Sequence, residues 1–266
     1  QSTRLLLGKK KKSLTSKTNC QKLMRKKKFE SPLIVVDPVD KNRNVAAALS
    51  INQFAKMIAA SRAFQKKPSE NFFFGKKTKP LSTAQVKNLL KKEEPIVLET
   101  GFQKILPDIM WGQIKRLSKQ LSSAFEKEEF QVMRHSEWSD EKKSIIFVFD
   151  LKANTLEQAK KRIGPFVADQ KNSEKFLAHH KKPLSGPRIE NGRWVLEIER
   201  KNSSAKKFLE DTLKRLKKTE KPAIKKALKK AKILSEKETF SKYKKEPEFR
   251  EFFSNYLKGK EEFEYF

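Results

Sequence analysis

The chain has 266 residues, of which 36% are hydrophobic, enough for one large domain or two small ones with packed cores. No stretch approaches 18 consecutive apolar residues, which excludes a membrane-spanning helix, and the start carries no apolar h-region, which argues against a secretory signal. The single cysteine, Cys20, excludes a disulfide framework or a Cys-built zinc site, and three histidines (His135, His179, His180) are too few for a histidine-rich metal site.

Charge is the dominant feature. Sixty-two Lys and Arg face 32 Asp and Glu, a formal net charge of +30. Such a chain is expected to meet a polyanion, either nucleic acid or an anionic membrane face, although a general lysine bias in composition would also raise the count. Twelve of the basic residues are Arg and fifty are Lys. Lysine contacts phosphates as a point charge and lacks the planar fork that reads base edges, so recognition of shape and backbone is expected over recognition of sequence.

Residues 1–30 hold eleven basic residues and one acid, with dense runs at Lys9–Lys12 and Arg25–Lys28. They read as a basic arm or as the edge of a domain that begins upstream. Residues 32–40, PLIVVDPVD, suggest a short strand buried on both faces and stopped by Asp37-Pro38. Ser50 and Gln53 form a capping box ahead of a helix with Ile51, Phe54, Ala55 and Ile58 at helical spacing, and Ser82 with Gln85 starts a second helix running to about Lys92.

From Pro95 the pattern changes. Ile96-Val97-Leu98 reads as a strand. Ile105, Ile109, Met110, Ile114, Leu117, Leu121 and Phe125 make a helical stripe, and residues 130–138 and 144–150 read as two strands. Ile145 to Phe149 is apolar throughout, as in a central strand. Strand–helix–strand–strand opens a ferredoxin-like or RNA-recognition-like α+β unit. Residues 193–199, RWVLEIE, read as a half-buried strand. Two basic amphipathic helices follow; one buries Ala205, Phe208, Leu209, Leu213 and Leu216, the other Ile224, Ala227, Leu228 and Ala231. Residues 201–234 carry a net charge of +10 and residues 235–266 about −1, so the charge is patterned. The basic helices have core-directed apolar faces and no lipidation motif accompanies them, which disfavours a membrane-surface protein.

At this point the residues match a family. PLIVVDPVDKNRNVAAALS, PSENFFF at 68–74, PLSTAQ at 80–85, RIGPFVADQKNSEKFLAHH at 162–180, GPRIENGRWVLEIER at 186–200 and FSNYLKGKEEFEYF at 253–266 resemble, in order, motifs of the archaeal-type (class I) CCA-adding enzymes. The resemblance runs from about residue 31 to the end; residues 1–30 match weakly. It implies tRNA 3′-terminal CCA addition from CTP and ATP in the cytoplasm. It also implies an architecture of head, neck, body and tail, with the body and tail gripping the acceptor stem and elbow of tRNA. The fold expected for this chain is α+β: a partial helical neck at 1–64, a connecting segment at 65–94, and a ferredoxin-like or RNA-recognition-like body with a basic helical tail at 95–266.

In the family, a head with a Gly-Ser loop and Asp-x-Asp carboxylates holds two Mg²⁺ ions. None of the eight glycines here is followed by Ser, and no Asp-x-Asp occurs. Asp37 and Asp40 are read as loop caps. The 266 residues are therefore expected to supply nucleotide-reading and tRNA-binding parts, with no catalytic residues and no metal ligands of their own. A truncated enzyme, one half of a split enzyme with a separate head subunit, and a stand-alone RNA-binding module all remain open, as does a homodimer. By the resemblance, Arg43 in KNRN reads the Watson–Crick edge of the incoming nucleotide, the alternative being a pin on Asp37 or Asp40. Asn44 orients Arg43 or caps the turn. Arg188, Arg193, Lys206, Lys207, Lys225, Lys226, Lys229 and Lys230 are the candidate tRNA phosphate contacts. His179-His180 reads as a helix end or a phosphate contact, and Phe72–Phe74 as core packing or a base-stacking platform.

Overall fold

The computed structural model describes residues 31–40, 42–74, 79–102, 107–220 and 222–265. The basic arm at 1–30, with Cys20 and both of its lysine runs, lies outside the described residues, as does Ile105. The chain divides into two compact units, one of residues 1–77 with 261–266 and one of residues 78–260. This differs from boundaries at 64/65 and 94/95: a single break falls inside the expected connecting segment, and the last residues return to the first unit.

In the first unit, helix α1 (Ile51–Lys66) starts at the Ser50–Gln53 capping box, with both reciprocal bonds formed. Helix α2 (Asn71–Phe74) is a single turn. Phe72 and Phe73 set their edges against Phe64 of α1, each with ring centroids 5.5 Å apart, while Phe74 is 84% exposed. Lys56 of α1 pairs with Glu261 at 2.9 Å, ahead of the closing 3₁₀ turn Glu262–Tyr265. The expected buried strand at 32–40 does not form. Only a single bridge, Val36 to Asn44, is present and Val35 is 44% exposed, because among the described residues no neighbouring strand covers this apolar run.

The second unit is built on a four-stranded antiparallel sheet. Its elements are α3 (Thr83–Glu93), β1 (Ile96–Gly101), α4 (Pro107–Lys127), β2 (Val132–Ser139) and β3 (Ser144–Leu151). An insertion follows, comprising β4 (Ala159–Phe166), α5 (Gln170–His179), β5 (Ser185–Glu190) and β6 (Arg193–Glu199). The chain closes with α6 (Ala205–Thr219), α7 (Pro222–Lys229), β7 (Lys232–Leu234), α8 (Glu236–Lys245) and α9 (Pro247–Lys258). The sheet order β2-β3-β1-β7, with every pairing antiparallel, is the ferredoxin-like arrangement; the insertion forms its own three-stranded sheet, β4-β6-β5.

Period-two alternation decides the two faces of the main sheet. On one face Ile96, Leu98, Phe147 and Phe149 pack with Met110, Ile114, Leu117, Leu121 and Phe125 of α4 and with Phe208, Leu209, Leu213, Ile224 and Leu228 of α6 and α7. On the other, Val97, Ile146 and Val148 meet Val86 and Leu90 of α3, Tyr243 of α8, and Phe249 and Phe253 of α9. All eight residues of β3 are therefore buried. Ile109, expected in the α4 stripe, is 52% exposed, since it falls off the face that Met110 and Ile114 occupy.

An open sheet face of the kind that stacks single-stranded RNA bases is thus closed off by α3, α8 and α9. Arg134 locks this second layer. It pairs with Glu93 at 2.8 Å and with Asp150, donates to the Tyr256 carbonyl at 2.7 Å, and lies 4.5 Å over the Tyr256 ring. Gly259 ends α9 at φ 65°, and a Cβ there would stand 2.8 Å from Arg134 Nη1, so both the backbone and the packing require glycine.

The inserted sheet is held to the body by charge. Lys160, 5% exposed, sits 3.3 Å from Glu129 and 3.6 Å from Glu128. Arg200 donates to Glu129 at 2.7 Å and to the backbone carbonyls of Glu128 and Glu157. Burial works to raise the Glu129 pKa, but the bonds from Arg200 and Lys160 outweigh it and hold the carboxyl below its ordinary value.

Candidate nucleic-acid interface

Arg43 stands on a loop that ties itself together. Asn44, 6% exposed, accepts the Val35 and Ala46 N–H groups at 2.9 and 3.0 Å and donates to the Leu33 carbonyl at 3.1 Å. One buried side chain thereby satisfies three backbone groups on both limbs of the loop. The Asp37 carboxylate accepts from Val39 and Asp40 N–H, and Asp40 accepts from Asn42 N–H. The two backbone bonds, and to a lesser degree the Arg43 charge, hold the Asp37 pKa below its ordinary value.

Arg43 Nη1 lies 3.8 Å from Asp37 Oδ2 and its side chain is 70% exposed. An exposed pair at that separation is worth about 0–1 kcal/mol, so most of the guanidinium fork is available to a ligand. With the carboxylates of Asp37 and Asp40 turned to backbone N–H groups, these residues do not fit a two-metal site, and no cluster of three or more His, Cys, Asp or Glu able to hold a metal occurs among the described residues.

The candidate phosphate contacts fall on two further places in the second unit. Arg188 and Arg193 lie on one face of the inserted sheet, Arg188 opposite Val195 and Arg193 opposite Glu190. Both are engaged within the protein. Arg188 bonds Glu190 at 2.7 Å and Glu197 at 3.0 Å, which raises its pKa. Arg193 lies 3.8 Å over the Phe166 ring and donates to the Gly164 carbonyl at 3.1 Å.

The lysines sit on α6 and α7, whose apolar stripes point inward and turn the remaining positions outward. Lys206, Lys207, Lys226 and Lys229 are exposed, Lys225 is half-buried, and Lys230 lies just past the end of α7. His179 closes α5, with His180 at its C-cap against Phe176, ring centroids 4.9 Å apart. Burial, then the neighbouring His179 and Arg162 charges, holds the His180 pKa below its ordinary value.

Sequence reading passed over a pocket at the end of β1, lined by Thr100, Lys143 and Lys242 together with Lys230. Its residues come from four separate stretches of chain, and no local pattern announces it. No described helix is long and apolar enough to cross a membrane.

Comparison with known proteins places both units. A family model described as the CCA-adding enzyme C-terminal domain matches residues 94–236, and one described as the tRNA nucleotidyltransferase second domain matches residues 5–74. A CCA-adding enzyme of Methanosarcina acetivorans is 34% identical over 186 residues, covering 68% of this chain and 41% of that protein. One of Methanothermobacter thermautotrophicus is 34% identical over 189 residues, covering 70% of this chain and 40% of that protein. One of Pyrobaculum neutrophilum is 41% identical over 127 residues, covering 47% of this chain and 28% of that protein. The chain thus spans about two-fifths of the length of the first two relatives. The first of these family models covers more than half of the 266 residues, including the main sheet and the entire insertion, and on that basis the chain belongs to the CCA-adding enzyme family.

Proposed function

We propose that this chain supplies the nucleotide-reading and tRNA-gripping parts of a cytoplasmic enzyme that adds CCA to tRNA 3′ ends from CTP and ATP. The catalytic carboxylates and their Mg²⁺ ions then belong to a head domain outside these 266 residues. The observation that carries the reading is the match of the CCA-adding enzyme C-terminal domain to residues 94–236, coupled to a row of exposed lysines on α6 and α7. With both sheet faces covered, RNA is met by helix surfaces. Lysines there suit the phosphates and shape of an A-form stem. Asn44 acts as a positioning residue, because its three bonds set where Arg43 leaves the loop.

Equilibrium binding of tRNA to the purified chain tests this. Affinity should fall steeply with salt, as counterion release requires, and should exceed that for an unstructured single strand of equal length. A flat salt dependence, or a preference for the single strand, refutes the reading.

Arg43 makes a separate prediction. When the chain is combined with a separately expressed catalytic head, Arg43→Ala should reduce discrimination among CTP, ATP, UTP and GTP by about ten- to a hundredfold, the value of one bidentate base contact. tRNA affinity should be nearly unchanged. Arg43→Lys should not restore selectivity, since lysine lacks the fork. If both variants keep selectivity and melt at lower temperature, Arg43 is a pin for Asp37.

A further inference from the structure

The insertion, residues 159–199, is joined to the body by two chain segments, 152–158 leading in and 200–204 leading out. These run antiparallel and bond to each other. Arg200 N–H donates to the Gln158 carbonyl at 2.7 Å, Leu156 N–H to that of Ser203 at 2.8 Å, and Ala205 N–H to that of Asn154 at 2.9 Å. The body end of the ribbon is anchored: Asn154 donates to the Glu94 carbonyl at 2.7 Å and Leu156 packs against the main core. Beyond Leu156 the apolar support stops. Val195 and Leu196 are buried within the insertion, yet among the described residues none of 159–199 belongs to either core cluster of the body. Two paired strands without a third beside them make a weak support, so hydrophobic packing does not set the angle of the insertion.

Charge meets the body instead. Lys160 and Arg200 converge on Glu129, at 3.3 and 2.7 Å. Glu129 occupies an unusual place. Helix α4 ends with Phe130 N–H bonded to the Phe125 carbonyl and Glu129 N–H to the Glu126 carbonyl, both at 3.0 Å, and with the Phe125 and Phe130 rings in contact. In such a helix ending the residue in the left-handed conformation is usually glycine, as Gly259 is after α9. Here it is Glu129, at φ 72°. A side chain in that conformation is unfavourable, and its persistence at a site where the carboxylate holds two cations points to a function for the carboxylate. The buried phenylalanine pair fixes the turn from the body side, so Glu129 is aimed before the insertion meets it.

We propose that the insertion is a hinged module that pivots where its linker leaves Leu156, and that Glu129 is the latch fixing its angle to the body. Lys160 is buried and its other carboxylate, Glu128, stands 3.6 Å away. Without Glu129 it would be a buried charge with one distant partner, and swinging the insertion outward lets water reach it. The proposal rests on this geometry and not on the CCA-adding role.

Double electron–electron resonance on the full chain tests it. Spin labels are placed at Lys115→Cys on α4 and Lys175→Cys on α5, both exposed positions, with Cys20 replaced by Ser. With Glu129 present, one narrow distance peak is expected. Glu129→Gln, which removes only the charge, should lose that peak to a broad distribution. Glu129→Gly should do the same, and it should melt no lower than Glu129→Gln, because glycine relieves the left-handed turn and leaves α4 intact. A broad distribution with Glu129 present overturns the proposal, since nothing is then latched. A narrow peak kept by both variants also overturns it, since the paired linker alone then holds the insertion. If Glu129→Gly melts below Glu129→Gln, the turn carries no strain for the carboxylate to offset, and the reading of Glu129 as a residue placed for its charge fails.

Discussion

Reversing Lys206, Lys207, Lys226 and Lys229 to Glu is expected to weaken tRNA binding by on the order of a hundredfold or more near physiological salt, because each phosphate contact contributes through released counterions. The salt dependence should flatten with the affinity: for duplex RNA each lost contact removes a little under one unit from the slope of log K against log salt. These four side chains are exposed on helices whose buried faces carry the packing, so the fold should survive the change.

The control must alter net charge equally. Lys87, Lys91, Lys92 and Lys245 are exposed on α3 and α8, the helices of the opposite layer, and their reversal lowers the net charge of +30 by the same amount. Lys242 is unsuitable, since it neutralises Glu99 and Glu246 and its reversal would set three acids together. The measurement is tRNA affinity over a salt series for the wild type and both quadruple variants. Equal losses in the two variants would mean that overall charge, and not the α6–α7 surface, binds the RNA.

Phe125→Ala should cost about 3–5 kcal/mol of stability in the second unit, the usual result of emptying a phenylalanine site in a close-packed core. Phe125 is fully buried and holds three other rings, with centroids 5.4 Å from Phe149, 5.6 Å from Phe208 and 6.0 Å from Phe130. It therefore joins α4, the central strand and α6 in one cluster. For a unit of this size the loss corresponds to a melting-temperature drop of about 6–20 °C. Thermal melts followed by circular dichroism check this, with Ile109→Ala as the comparison. Ile109 lies on the same helix but is 52% exposed, so its truncation should move the melting temperature by no more than a few degrees. A similar loss at both positions would mean that α4 is not anchored through this ring cluster.

Several features could be read directly from sequence because the interactions that make them are local. The Ser50–Gln53 and Ser82–Gln85 boxes each use a serine and a glutamine three residues apart, and both form as written. The Ser235–Glu238 box has the same spacing and starts α8, although sequence reading passed over it. The inward stripes of α6 and α7 follow from helical spacing: Ala205, Phe208, Leu209, Leu213, Leu216, Ile224, Ala227 and Leu228 are all buried, with Ala231, past the helix end, only partly so. The unbroken apolar run Ile145–Phe149 implied cover on both faces, and β3 has it.

What covers those faces was decided by the tertiary structure. Nothing local says that α8 and α9 return to close the second face, that β7 begins opposite Glu99, or that a 41-residue stretch from Ala159 to Glu199 folds as a separate sheet inserted between β3 and α6. The run at 33–36 has strand composition as well, yet a strand exists only where another supplies its hydrogen bonds, and here the Asn44 side chain supplies two of them instead. The charged candidates divide for the same reason. Arg188 and Arg193 look in the sequence like the lysines of α6 and α7, but register across β5 and β6 and the approach of Phe166 give them partners inside the protein. Lys143 and Lys230 acquire a shared pocket because an antiparallel sheet brings a turn 42 residues after Gly101 and a helix end 129 residues after it to the same strand terminus. Pairing over such separations depends on which apolar surfaces find each other in the folded chain, and that information is spread over the entire unit rather than held in any one segment.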